Sequence, residues 1–334
     1  MMAGVRHAQV GSLPGTDFAA AARFALAETP DPSHLPELPA RGAPAQLVGR
    51  ATALAPGLAF DLQPAGWRLT GGALGVGDSA DARRARALLR DDLDRFEEAA
   101  QGFVGPVTVS AAGPLTLAAN VELPRGDKVL ADPGARRDLG QALTEGLRGL
   151  VDELRGRLPD IEWSLQLDEP QAGAVLAGSV PTASGYDRHR PLPAPQAAQE
   201  YAELARALAG VPLGLHSCAA EFPWELSADL DSVSLDGERL GTRDRDEIAR
   251  WLESGRELRL GVVPTTTPGR VPGVDEVIGR TLSVLRPLEL GEAAVQNLVL
   301  TPACGLAGWS AADAHRVLRT LRDATEPVAE QLTR

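Results

Sequence analysis

Short apolar runs alternate along this chain with longer stretches whose apolar residues recur at helical spacing. Such alternation predicts repeated strand–helix units and therefore a parallel sheet. The apolar runs place eight strands near residues 8–13, 58–63, 106–112, 161–168, 211–217, 231–236, 257–263 and 295–302. Between them, residues 79–101 carry apolar positions at helical spacing among alternating Asp and Arg, and Asp132-Pro133 supplies a capping residue and a first-turn proline for the next helix. Further helices are expected near 194–209, 244–254, 273–286 and 310–326. The Pro-rich stretches 29–44 and 180–195 follow strands and read as active-site loops rather than linkers. Eight such units in 334 residues predict an α/β protein with a (β/α)8 TIM-barrel fold, a single domain spanning 1–334.

Charge narrows the function. A formal net charge of −12 disfavours nucleic acid and anionic membranes as partners, because phosphates and acidic lipids repel such a surface. The first ten residues lack a basic patch followed by an apolar stretch, and no window approaches the length of a membrane helix, so a cytoplasmic location is expected. Small-molecule chemistry is what remains. Arginine dominates the basic residues, and Lys128, the one lysine, lies in a Pro/Gly-flanked loop, which argues against a Schiff-base aldolase. Trp67, Trp224 and Trp309 are isolated along the chain, a pattern that fits core or rim packing.

The chemistry concentrates at strand ends. His216 and Cys218 stand two apart at the end of the fifth strand, so they point to one face, and Cys304, the second of two cysteines, follows the eighth strand. Two distant cysteines in a reducing compartment are poor candidates for a disulfide. In a barrel all strand C-termini share one rim, where residues far apart in sequence converge, and Ser12, Asp168 and Asp236 end strands on that same rim. One imidazole and two thiolates suit Zn2+, which leaves a coordination position open in catalytic sites.

Five segments, in order, carry a resemblance. Gly11-Ser12-Leu13-Pro14, Gly113-Pro114-Leu115-Thr116, Leu165-Gln166-Leu167-Asp168-Glu169-Pro170, His216-Ser217-Cys218 and Cys304-Gly305-Leu306 resemble the motifs of the catalytic barrel of cobalamin-independent methionine synthase. The likeness covers nearly the whole chain. It implies a 5-methyltetrahydropteroyltriglutamate-homocysteine S-methyltransferase type of enzyme, in which homocysteine fills the open zinc position and is methylated to methionine. It further implies zinc ligation by His216, Cys218, Cys304 and the carboxylate that ends strand six. Here that carboxylate is Asp236 where the family has a glutamate, with Glu238 as the alternative. Ser12 is implied to hold the amino-acid carboxylate and Asp168 the ammonium. Asp168 and Glu169 are neighbours on a strand and face opposite ways, so they do not form a glycosidase pair.

Three departures concern the methyl donor. The family's usual member has two barrels and about twice this length; a tryptophan expected after the family's Gly-Pro-Val-Thr, the counterpart of Gly113-Pro114-Leu115-Thr116, is missing from Leu117-Ala118-Ala119-Asn120-Val121; and the loop after strand seven reads Val263-Pro264-Thr265-Thr266-Thr267, without the family's Asp and His. A 5-methyltetrahydrofolate donor needs its leaving nitrogen protonated, whereas a methylcorrinoid such as methylcobalamin does not, so the losses point toward a corrinoid, which a corrinoid protein could deliver. His189 and Glu221 are candidate substitute acids. Two other readings stand beside this one. A corrinoid methyltransferase related to uroporphyrinogen decarboxylase would act on another thiol, and a non-catalytic barrel would bind zinc or an amino acid as a sensor.

Overall fold

The computed structural model describes residues 4–70 and 79–334. Its strands are β1 (Arg6–His7), β2 (Ser33–His34), β3 (Phe60–Gln63), β4 (Gly66–Leu69), β5 (Gly105–Ala112), β6 (Ile161–Asp168), β7 (Leu213–Ser217), β8 (Ser232–Asp236), β9 (Glu257–Val263) and β10 (Leu298–Pro302). Eight of them form one parallel sheet in the order β1-β10-β9-β8-β7-β6-β5-β2. Beyond β1 and β2 the chain joins the two ends: Leu13 N donates to Glu37 O at 2.9 Å and Glu37 N to Gly11 O at 3.1 Å, around a parallel bridge between Ser12 and Glu37. The result is the expected (β/α)8 barrel. No described helix is long and apolar enough to cross a membrane.

The second strand differs from expectation. Residues 58–63 do not enter the barrel; Phe60–Gln63 pairs antiparallel with Gly66–Leu69 as a separate hairpin, and β2 comes instead from the Pro-rich stretch 29–44. Its ladder is two residues long, too short to leave a periodic signature, whereas the hairpin strand offers a longer apolar–polar run. The first strand is likewise a two-residue ladder, Arg6–His7, followed by a hydrogen bond from Ala8 N to Leu300 O. The helices expected from residue 79 onward are present as Ala80–Ala99, Pro133–Arg157, Ala194–Ala207, Thr242–Glu253, Val274–Leu285 and Ala311–Leu332. Ser79 and Asp132 cap two of them as their residue types require, accepting from Ala82 N, and from Gly134 N and Ala135 N.

Strand register carries the site. Ala112 pairs with Asp168, Asp168 with His216, His216 with Ser234 and Ser234 with Arg259. Paired residues share a face, so Asp168, His216, Ser234 and Arg259 form one row across four strands. The alternate positions Leu165, Leu167, Leu213, Leu215, Val233, Leu235, Leu258 and Leu260 are buried and belong to the hydrophobic core. Tertiary packing thus separates an apolar outer face from a polar row that ends at the rim.

Glu169 ties two rim segments together. Its Oε1 accepts from Leu115 N at 2.9 Å and from the Tyr201 hydroxyl; its Oε2 accepts from Thr116 N at 2.7 Å and Thr116 Oγ1 at 2.6 Å. These bonds cap the helix Pro114–Asn120, whose first amide hydrogens lack helical partners. A Cβ on Gly113 would lie 2.2 Å from Glu169 Oε1, so the close approach requires glycine. The motifs Gly113-Pro114-Leu115-Thr116 and Asp168-Glu169-Pro170 are therefore two halves of one contact. Burial raises the Glu169 carboxyl while the surrounding donors hold it down. Glu169→Gln replaces an acceptor with an amide group facing fixed donors and should destabilise the fold by about 2–4 kcal/mol. Urea unfolding measures this, and an unchanged midpoint would contradict the capping role.

Candidate active site

Three side chains, one imidazole and two thiols, meet where β7 ends. His216, Cys218 and Cys304 offer ligand atoms that lie within 4.8 Å of one another, and the two sulfurs are 3.4 Å apart. Both cysteines are free. The imidazole orientation follows from the register, because Ser234 Oγ is 2.9 Å from His216 Nδ1 across the β7–β8 pair. That leaves Nε2, which is buried and has no hydrogen-bond partner. A buried polar atom without a partner is costly unless something binds it, and here a metal ion is the natural partner.

The thiols agree with that reading. Contact with Cys304 holds the Cys218 thiol below its ordinary range, while the same contact, reinforced by burial, pushes Cys304 up to about 12. The contact thus makes Cys218 the more acidic of the two thiols. A divalent cation bound there would displace the thiol protons and hold both sulfurs as thiolates. His216 is raised despite burial, by the Cys304 contact and by Asp168. The donor set fits a soft or borderline metal.

A second cluster of charge adjoins the first. Asp168, at the end of β6 and 9% exposed, is pushed up to about 8, chiefly by burial and further by Glu37, with His216 opposing. Gln166 Nε2 donates to Asp168 Oδ1 at 2.8 Å and Arg259 Nη1 donates to Gln166 Oε1 at 3.4 Å, so a permanent donor fixes which end of the amide faces Asp168. Glu37 is also buried, and its Oε1 accepts from Arg50 Nε at 3.0 Å. Two buried carboxylates acting on one another make a site for a cation. His34, fully buried in β2, has no hydrogen-bond partner at either ring nitrogen; burial, then Arg259 and His216, keep it well below the ordinary range and neutral.

Ser12 sits at the barrel-closing bridge; its carbonyl accepts from Leu306 N at 2.8 Å, and a Cβ on Gly305 would lie 1.8 Å from Ser12 Oγ, so the Ser12 turn rests on the Cys304 loop. Asp236 ends β8 as expected but lies outside the three-residue ligand group. Its Oδ1 accepts from Glu238 N at 3.0 Å and its Oδ2 is 3.2 Å from Arg239 Nε. Glu238 pairs with Arg280 at 3.2 Å. His189 Nε2 lies 3.3 Å from Asp127 Oδ1, and Glu221 is exposed. Trp67, Trp224 and Trp309 belong to the core. Sequence reading missed Glu37 and His34 because both fall in the short second strand and the residues after it, and missed Ser234 because a serine on a strand carries no signal of its own.

The profile of the family described as cobalamin-independent synthase, catalytic domain, matches residues 106–327. The match covers more than half of the chain, and the chain belongs to this family, whose members are methyltransferases of methionine biosynthesis. A solved B12-independent methionine synthase from Shewanella sp. W3-18-1, in complex with selenomethionine, is similar at a TM-score of 0.65 and 14% identity, over 99% of each chain. A GH5_18 structure from Streptomyces cattleya in complex with GlcNAc matches at a TM-score of 0.46 and 13% identity, over 96% of this chain and 80% of that one. No curated protein sequence matches.

The cluster should bind about one divalent metal per chain, since three ligands converge with an imidazole nitrogen to spare. Cys218→Ser with Cys304→Ser should abolish stoichiometric binding, measured by metal analysis after dialysis. Full metal retention by that double variant would remove the site.

Proposed function

We propose that the chain is a zinc-dependent homocysteine S-methyltransferase that forms methionine, built as a single barrel domain. The observation that carries this reading is the convergence of His216, Cys218 and Cys304, with a free imidazole nitrogen, beside the buried Asp168–Glu37 pair. One imidazole and two thiolates select zinc over the harder ions. Bound there, zinc would supply a Lewis acid that keeps a coordinated substrate thiol ionised at neutral pH. For the fourth protein ligand we assign Asp236 rather than Glu238. Asp236 acts electrostatically on Cys218, and its partner Arg239 is 45% exposed at the side chain, a surface pair of small strength that an ion can displace. Arg239→Ala should leave the metal content unchanged.

The protein's own groups handle the amino-acid end. Asp168 and Glu37 receive the substrate ammonium, Gln166 holds one Asp168 oxygen so that the other is available, and Ser12, at the turn against the Cys304 loop, receives the carboxylate. Together these groups orient the amino acid with its sulfur toward the cysteines. In the free protein Asp168 holds a proton below about pH 8, because burial disfavours its charge. An ammonium restores the charge and displaces that proton, so affinity for the amino acid should rise as pH approaches 8.

The methyl donor is 5-methyltetrahydrofolate or a methylcorrinoid. Membership of a cobalamin-independent family supports the folate. Rim chemistry supports the corrinoid, carried free or on a corrinoid protein: Val263–Thr267 contains no acid, and the carboxylates beside it, Glu238 and Glu276, are bonded to Arg280 and Arg270. Zinc-loaded protein with homocysteine, offered each donor separately, tests the reading by methionine formation. Asp168→Asn should raise the homocysteine requirement about tenfold or more at unchanged zinc content, given roughly 1.5–3 kcal/mol for a charged hydrogen bond. Formation of no methionine with either donor would overturn the enzyme reading, and loss of zinc in Asp168→Asn would overturn the division into a metal end and an amino-acid end.

A further inference from the structure

Asp92 is wholly buried on the helix Ala80–Ala99, outside the barrel, yet it binds two arginines. Arg41 reaches it with both terminal nitrogens, at 2.6 and 2.7 Å, and Arg50 Nη1 reaches its Oδ2 at 3.2 Å. The same Arg50 turns its Nε to Glu37 Oε1 at 3.0 Å. Arg50 and Glu37 are each 5% exposed and Asp92 is fully buried, so bulk water answers none of these three charges, and Arg41 alone of the four reaches toward solvent. Isolated buried charges are too costly to persist without mutual compensation.

The count of charges is uneven. Arg41 and Arg50 answer Asp92 and Glu37, two positive groups against two negative ones, while Asp168, which Glu37 repels, has neither arginine as a partner. With all five ionised the cluster carries one negative charge more than it can satisfy, and one ammonium balances it. The position of Asp92 decides whether that surplus is usable. A guanidinium given wholly to Glu37 would take both carboxylate oxygens in the bidentate fork. Because Asp92 draws Nη1 away, Arg50 meets Glu37 through Nε alone, and Glu37 keeps an oxygen for another cation.

We propose that Asp92 is a positioning residue for substrate recognition: by sharing Arg50 with Glu37 from behind, it leaves Glu37 an oxygen free to receive, together with Asp168, the ammonium group of a thiol substrate. The inference rests on the amino-acid pocket proposed above. Asp92 touches neither substrate nor metal, and it acts through Arg50.

The test compares two thiols with the zinc-loaded full-length protein, homocysteine and 4-sulfanylbutanoate, which lacks the amino group. Affinity for each is read by competition and by KM. Wild type should prefer homocysteine by about tenfold or more, and Asp92→Asn should reduce that preference by on the order of tenfold, with zinc content unchanged. Asp92→Glu, which keeps the carboxylate, should restore part of it. Should Asp92→Asn not fold, Arg41→Met combined with Asp92→Asn removes a cation together with its anion, and it leaves Arg50 equally unshared, so the same loss is expected. Absence of the preference in wild type would overturn the amino-acid pocket itself. A wild-type preference that survives intact in a folded, zinc-loaded Asp92 variant would overturn the role of Asp92 alone. A merely structural role would weaken both thiols alike and leave the preference untouched.

Discussion

Register between β6, β7 and β8 is the constraint on which the site depends. Asp168, His216 and Ser234 are paired in sequence along adjacent parallel strands, so each inherits its direction from the same pleat. A slip of one residue in β7 would turn His216 toward the helices and bring Leu215 inward. The core opposes that slip, since Leu213 and Leu215 would have to leave their apolar contacts. At roughly 1.5–3 kcal/mol for each fully buried leucine, the hydrophobic face holds the register far more firmly than the His216–Ser234 hydrogen bond, worth about 1 kcal/mol. Packing on the outer face therefore sets chemistry on the inner one.

Electrostatics works in the opposite sense and is spent on specificity. Burying Asp168, Glu37 and Asp92 costs free energy, and Arg41 and Arg50 offset it only partly. The rise of Asp168 to about 8 expresses what is left uncompensated. A site that is electrostatically unsatisfied when empty binds most strongly the ligand that completes it. The same logic applies at the candidate metal cluster, where His216 Nε2 lacks a partner and two thiols crowd one another.

Much of this was legible in the sequence, and the illegible parts have physical causes. Strands β5 to β10 are buried runs of five residues or more, long enough for apolar pattern to show, and their ends carried His216, Cys218, Asp168 and Asp236 to the rim as expected. Asp236 reached that rim without joining the three converging ligands, because side-chain choice between Arg239 and a neighbour leaves no trace in spacing. β1 and β2 are two-residue ladders whose stability comes from closure of the barrel rather than from local propensity. Glu37 and His34 were hidden with them. Arg50 and Asp92 were hidden for a different reason: a buried charged residue on an amphipathic helix looks the same in sequence as an exposed one.

The two ends of the site rest on separate supports. The metal end is held by β7, by its pairing with β8 and by the loop after β10; the amine end is held by β6, by the segment after β2 and, behind that, by a helix outside the barrel. Besides the β6–β7 pairing of Asp168 with His216, Ser12 and its turn span both, through Glu37 on one side and Leu306 on the other. Because the supports share few residues, changes at one end should leave the other largely intact, as additivity requires of groups without common partners. The barrel closure at Ser12 is then more than a seam: it sets the distance between Ser12, proposed to receive the substrate carboxylate, and the cysteine loop after β10, and so couples closure of the barrel to the geometry of the proposed site.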